Sequence, residues 1–70
     1  MTILDSSTHP AEILRIAIKN EQVSVKFYQD AMRIIDDPGT KKMLEELIEE
    51  EKRHIVVLED ELDKGAYTEN

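Results

Sequence analysis

Glu51 and His54 stand at i and i+3 in the run LEELIEEEKRHIVVLEDEL, on turns where the recurring Leu and Ile should place another hydrophobic pair. On one helix that spacing brings a carboxylate and an imidazole onto the same face, close enough together to hold one metal ion. Glu-x-x-His is short and common by chance, so its position on an apolar stripe is what makes it informative. Glu21 interrupts the apolar stripe of an earlier segment in the same way. An unpaired carboxylate in an apolar interior costs on the order of several kcal/mol, comparable to the stability of a small domain, unless a proton or a cation neutralises it.

These residues converge if the segments carrying them fold as a hairpin. Residues 1–8 are polar and unpatterned, and read as a flexible lead-in. Pro10 suits a first helical turn, with Thr8 or His9 near the cap and Glu12 complementing the helix dipole. From Ala11 to about Ile35 there is neither Pro nor Gly, which predicts one long helix. Asp36-Asp37-Pro38-Gly39 then breaks it: Pro38 disfavours helical geometry in the residue before it, and Asp37 can cap the start of another helix. This second helix is predicted from about Pro38 to Lys64, with Gly65 as its stop and residues 66–70 as a tail. So short a connection implies an all-α, antiparallel two-helix hairpin over residues 9–65. Folding it near residues 36 and 37 brings Glu21 level with residues 52 and 53, between Glu51 and His54.

The helix faces support that arrangement. In the second helix Leu44, Leu47, Ile48, Ile55, Leu58 and Leu62 share a stripe with Glu51 and His54, while most of the remaining charges point elsewhere. In the first, Leu14, Ala17, Ile18, Val25, Tyr28, Met32 and Ile35 share a stripe with Glu21. A second apolar stripe runs beside it through Ile13, Ile16, Val23, Phe27, Ala31 and Ile34. One neighbouring helix cannot cover both stripes, so association between chains is expected. Met32 and Met43 read as core packing, and Glu50, at the edge of its stripe, as solvated surface.

Composition narrows the chemistry. A chain of 70 residues is short for a self-sufficient core, and with no cysteine it has neither disulfides nor thiolate metal sites. A formal charge of −7 and a pI near 4.7 disfavour nucleic-acid and acidic-membrane partners and favour cations. No stretch approaches the ~18 apolar residues of a membrane span, so a cytoplasmic protein is expected. One chain supplies three ligands and two helices. A two-fold homodimer supplies a four-helix bundle with two Glu21, two Glu51 and two His54, a set suited to two metal ions. Mixed oxygen and nitrogen donors suit iron, manganese or zinc. Iron is the expected metal because a carboxylate-rich pair can give electrons to dioxygen or hydrogen peroxide, with manganese or zinc as substitutes. The competing reading is a metal-free polar layer that fixes the register of a non-enzymatic helical dimer.

The stretches IAIKNEQVSVKFYQDAM and DPGTKKMLEELIEEEKRH, with E-x6-Y in one helix and E-E-x-x-H in the next, resemble the iron-binding half-repeat of rubrerythrins and encapsulated ferritins, within the ferritin-like di-iron superfamily. The resemblance covers roughly residues 11–64. It implies a ferritin-like four-helix bundle and makes Glu21 a terminal ligand, Glu51 a bridging or chelating ligand and His54 the nitrogen ligand. It also gives Tyr28, one heptad after Glu21, a part in the chemistry as a hydrogen-bond donor or electron-transfer aid. The implied activity is that of a ferroxidase-type oxidoreductase, turning Fe(II) into Fe(III) at a centre between two subunits, for iron storage. A rubrerythrin-like peroxidase with an external electron donor is the alternative. A larger ring, an encapsulin shell enclosing the protein in a nanocompartment, and a redox partner are further implications. The sequence departs from the encapsulated ferritins in two places: KGAYTEN has no apolar shell-targeting peptide, and Val23 stands where some of them carry an acidic residue of an auxiliary site.

Overall fold

A computed structural model of the protein describes residues 4–64. Two helices, α1 (Pro10–Ile34) and α2 (Pro38–Asp63), account for nearly all of them, and no strand occurs among the described residues. They pack against each other as a hairpin. At 25 and 26 residues they are matched in length, so each residue of α1 finds a level on α2.

Both helices start on caps that can be read from the chain. The imidazole Nδ1 of His9, in extended conformation, accepts the Ala11 N–H at 3.0 Å, and Pro10 opens the first turn with no N–H to satisfy. His9 rather than Thr8 is therefore the cap. Thr8 instead closes a turn with Asp5, through Asp5 N–H to Thr8 Oγ1 at 3.0 Å and Thr8 N–H to the Asp5 carbonyl at 3.1 Å. Residues 5–8, expected as part of an unpatterned lead-in, thus hold a local hydrogen-bonded turn.

At the bend, Ile35 turns extended, and its N–H still reaches the Ala31 carbonyl at 3.1 Å. Asp37 caps α2: Oδ2 accepts both the Thr40 N–H at 2.8 Å and the Thr40 hydroxyl at 2.6 Å. These bonds hold the Asp37 carboxyl below the ordinary carboxylate range, the Thr40 hydroxyl being the larger cause. The far end of α2 closes on Lys64, whose N–H meets the Asp60 carbonyl at 3.2 Å. The proposed stop at Gly65 and the tail at 66–70 lie outside the described residues.

Among the described residues only Ala11 and Ile48 are buried hydrophobics, and no polar or charged side chain is buried. Apart from Ile48, the inward stripes are half-covered at best. Met43, expected in the core, is exposed, because its side of α2 faces away from α1. Met32 is half-buried, and Glu50 lies on the surface as expected. A hairpin forms one side of a core without enclosing it.

Candidate metal centre

Midway along the hairpin, Glu21 of α1 meets Glu51 and His54 of α2. His54 Nδ1 lies 3.2 Å from Glu21 Oε2 and 3.6 Å from Glu51 Oε1. Ligand atoms from all three side chains fall within 4.8 Å of one another. Two structural facts produce the cluster: the i, i+3 spacing in α2 and the bend at residues 35–37, which sets the level of Glu21 against it. In the tautomer protonated at Nδ1, His54 donates to Glu21 Oε2.

The side chains of Glu21 and Glu51 are 26 % and 17 % exposed and that of His54 is 51 % exposed. The layer expected on a buried stripe is thus open on one side within a single chain. Beside it runs a shallow groove lined by Ala17, Glu21, His54, Val57 and Leu58. Val57 is the wall residue that reading the apolar stripe missed. It lies one turn beyond His54, and that i+3 relation was the available signal.

A hydrogen bond shared with Glu21, then partial burial and the negative charge of Glu21, push the Glu51 carboxyl above the ordinary carboxylate range. Glu50 adds to that and His54 opposes it. Two carboxylates this close require a proton or a cation between them. The donor set, two anionic oxygens with a neutral nitrogen, fits a first-row divalent metal better than magnesium or calcium, which favour all-oxygen shells.

Tyr28 shares the face of Glu21 but stands two turns along α1, about 10 Å along the axis at 1.5 Å per residue. Its half-buried ring meets Phe27 edge-on, with centroids 5.7 Å apart. The structure brings Glu21, Glu51 and His54 into one cluster and leaves Tyr28 outside it.

A helical hairpin carrying a carboxylate–imidazole layer at mid-height is half of a ferritin-like di-iron module. The family model described as Rubrerythrin matches residues 12–70, nearly the whole chain. The chain belongs to the rubrerythrin family, within the ferritin-like di-iron superfamily, and iron binding and oxidoreductase-like chemistry are what that membership implies. No curated protein and no solved structure matches it. No helix among the described residues is long and apolar enough to cross a membrane.

Proposed function

We propose that the protein is a ferroxidase-type oxidoreductase that takes Fe(II) as its substrate, two ions per dimer, at a centre built by two copies of the chain. Glu21, Glu51 and His54 of each copy are the ligands. The observation that carries this reading is their convergence from two helices, with ligand atoms within 4.8 Å of one another, in a family that implies iron. Two Fe(II) together supply two electrons, which with two protons reduce dioxygen to hydrogen peroxide, or hydrogen peroxide to two waters, leaving two Fe(III).

The protein's own groups prepare the site for that charge change. Glu21 and Glu51 present anionic oxygens, which favour the more highly charged product ion. The proton that their hydrogen bond holds occupies a position a cation would take, so metal uptake releases it. The groove wall of Ala17, Val57 and Leu58 offers no competing ligand. Tyr28, on the same helix face, stands where it can pass an electron or order solvent without holding metal.

Anaerobic loading with Fe(II), followed by air, should give a rise in ferric absorbance that is lost in Glu51→Ala and His54→Ala. Tyr28→Phe should bind iron normally and oxidise it more slowly. Intact protein that binds no Fe(II), or binds it without a ferric signal in air or peroxide, overturns the reading. The family match also supports a peroxidase fed by an external electron donor, since the cysteine-free chain has no thiolate electron centre of its own. Sustained peroxide consumption with a reductase and a small redox protein, without net iron oxidation, would favour that alternative.

A further inference from the structure

Every lysine and arginine of α1 lies on one outward stripe that the metal cluster does not use. Arg15, Lys19, Gln22, Lys26, Gln29 and Arg33 step alternately by four and three residues, so at about 100° per residue they share an arc of roughly 80°. All six are exposed, and the stripe runs about 27 Å along the helix at 1.5 Å per residue. It lies across α1 from Ala17, and therefore away from the groove beside Glu21 and His54.

The stripe is out of keeping with the rest of the chain. The formal charge of −7 is carried mostly by α2, where nine carboxylates meet four cations, whereas α1 has three carboxylates and four cations. A solvated helix face gains stability by interleaving opposite charges three and four residues apart. Glutamate at positions 22 and 29 would stand four residues before Lys26 and Arg33, the favourable order for such pairs, and glutamine occupies both. The residues three and four away from Lys19 are Arg15, Ile16, Gln22 and Val23, none of them a carboxylate. Asp30 touches Lys26 and Arg33 from the edge of the stripe, and its single charge leaves the stripe positive. Along the same edge, Val23 is 56 % exposed and Ile34 is 87 % exposed.

We infer that this stripe is a docking face for a different protein, one that presents an acidic helical segment edged with apolar residues. Its carboxylates meet the four cations, its polar side chains the glutamine amides, and its apolar edge Val23 and Ile34. A nucleic acid or polyphosphate would use the cations alone, and its dense negative charge would also face the nine carboxylates of α2. An acidic helix carries fewer charges, at the same helical intervals as the stripe. The opposite balance of charge on α1 and α2 turns such a partner toward α1 as it approaches. Docking on this side of α1 and metal binding at the cluster are separate events, and either can fail without the other.

The probe is a fluorescein-labelled helical peptide of about 25 residues, with glutamates at alternating steps of four and three and valines beside them. A second peptide has glutamine in place of each glutamate. Fluorescence anisotropy at low ionic strength should show the acidic peptide binding the 70-residue chain, and the glutamine peptide binding about tenfold more weakly. Lys19→Glu/Lys26→Glu should weaken the acidic peptide by about tenfold or more, and Lys19→Gln/Lys26→Gln by less. Both pairs replace exposed residues with good helix formers, so the helix is kept. Lys42→Glu/Lys52→Glu makes the same change in net charge on α2 and should cost less than about twofold. Equal loss in the α1 and α2 charge reversals assigns the binding to net charge and overturns the face. Absence of binding, or equal binding of the two peptides, overturns it as well. Tighter binding of a single-stranded oligonucleotide than of the acidic peptide gives the stripe to nucleic acid and overturns the protein partner. Sedimentation of the chain alone is the last check: an assembly mass lower in Lys19→Glu/Lys26→Glu than in the parent protein gives the stripe to another copy and overturns the assignment to a different protein.

Discussion

Two carboxylates of α1, nine residues apart, are neutralised in opposite ways. Asp30 lies between cations of its own helix, 2.8 Å from Lys26 Nζ and in contact with the Arg33 guanidinium. The Lys26 hydrogen bond, helped by both positive charges, holds its carboxyl below the usual range. Glu21 has no such partner; it faces a second carboxylate and an imidazole across the hairpin, and Glu51 beside it is pushed up. Asp30 satisfies itself within one helix and faces solvent. Glu21 lies against a groove that a second chain would close. Acidic side chains are common throughout this protein, so number alone identifies nothing. What separates the candidate centre is a local deficit of positive charge at a place where the fold concentrates ligand atoms.

Removing a member of the deficient cluster should have the largest effect. Glu51→Ala takes away one of the two carboxylates of the cluster. Fe(II) affinity should fall by more than the roughly 10–100-fold that loss of an outer-shell partner costs a metal site. Anaerobic titration measures it, and affinity within a few-fold of the parent protein would remove Glu51 from the site. The same comparison predicts a change in stability. Metal bound only to the folded, associated chain raises stability by about 2.7 kcal/mol at a free concentration 100 times Kd. Thermal unfolding with Fe(II) under anaerobic conditions should therefore move upward, and chelator should reverse it. An unchanged transition would favour the metal-free polar layer.

Asp30→Asn tests the other half of the contrast and should change less. It breaks a solvent-exposed arrangement of a kind that contributes little. A slight lowering of the melting temperature is expected, with Fe(II) affinity and oxidation rate unchanged. Loss of iron uptake in this variant would mean that the distinction between the two clusters is wrong.

Much of this was legible in the chain because local rules settle it. Pro10, Pro38 and Asp37 fix the helix starts, and the Glu51–His54 spacing fixes a shared face. The level of Glu21 followed from counting residues back from the bend. Enclosure was not legible. A stripe of Leu and Ile says which side of a helix turns inward, but not whether one chain supplies enough surface to bury it. Met43 and the site layer were therefore placed deeper than they lie, and Val57 was left off the groove. The turn through Asp5, Ser7 and Thr8 escaped for a different reason. It rests on side-chain hydrogen bonds to backbone groups, including Ser7 N–H to Asp5 Oδ1 at 2.8 Å, that carry no hydrophobic periodicity.

The smallest effect belongs to Asp37, a carboxylate at a helix start far from both clusters. Its carboxyl is held low by bonds to Thr40, so the folded state keeps it ionised to lower pH than the unfolded chain does. The stabilisation from its charge is present above the ordinary value of 3.8 and disappears as pH falls through the lower folded value. Asn caps a helix nearly as well as Asp but carries no charge for the helix N-terminus. Asp37→Asn should therefore melt slightly below the parent protein at neutral pH, and the gap should close on acidification below the ordinary carboxylate value. Parallel melts of the two proteins cancel the carboxylates they share. A gap that persists unchanged into acid would assign the stabilisation to the hydrogen bonds alone, with the charge contributing nothing.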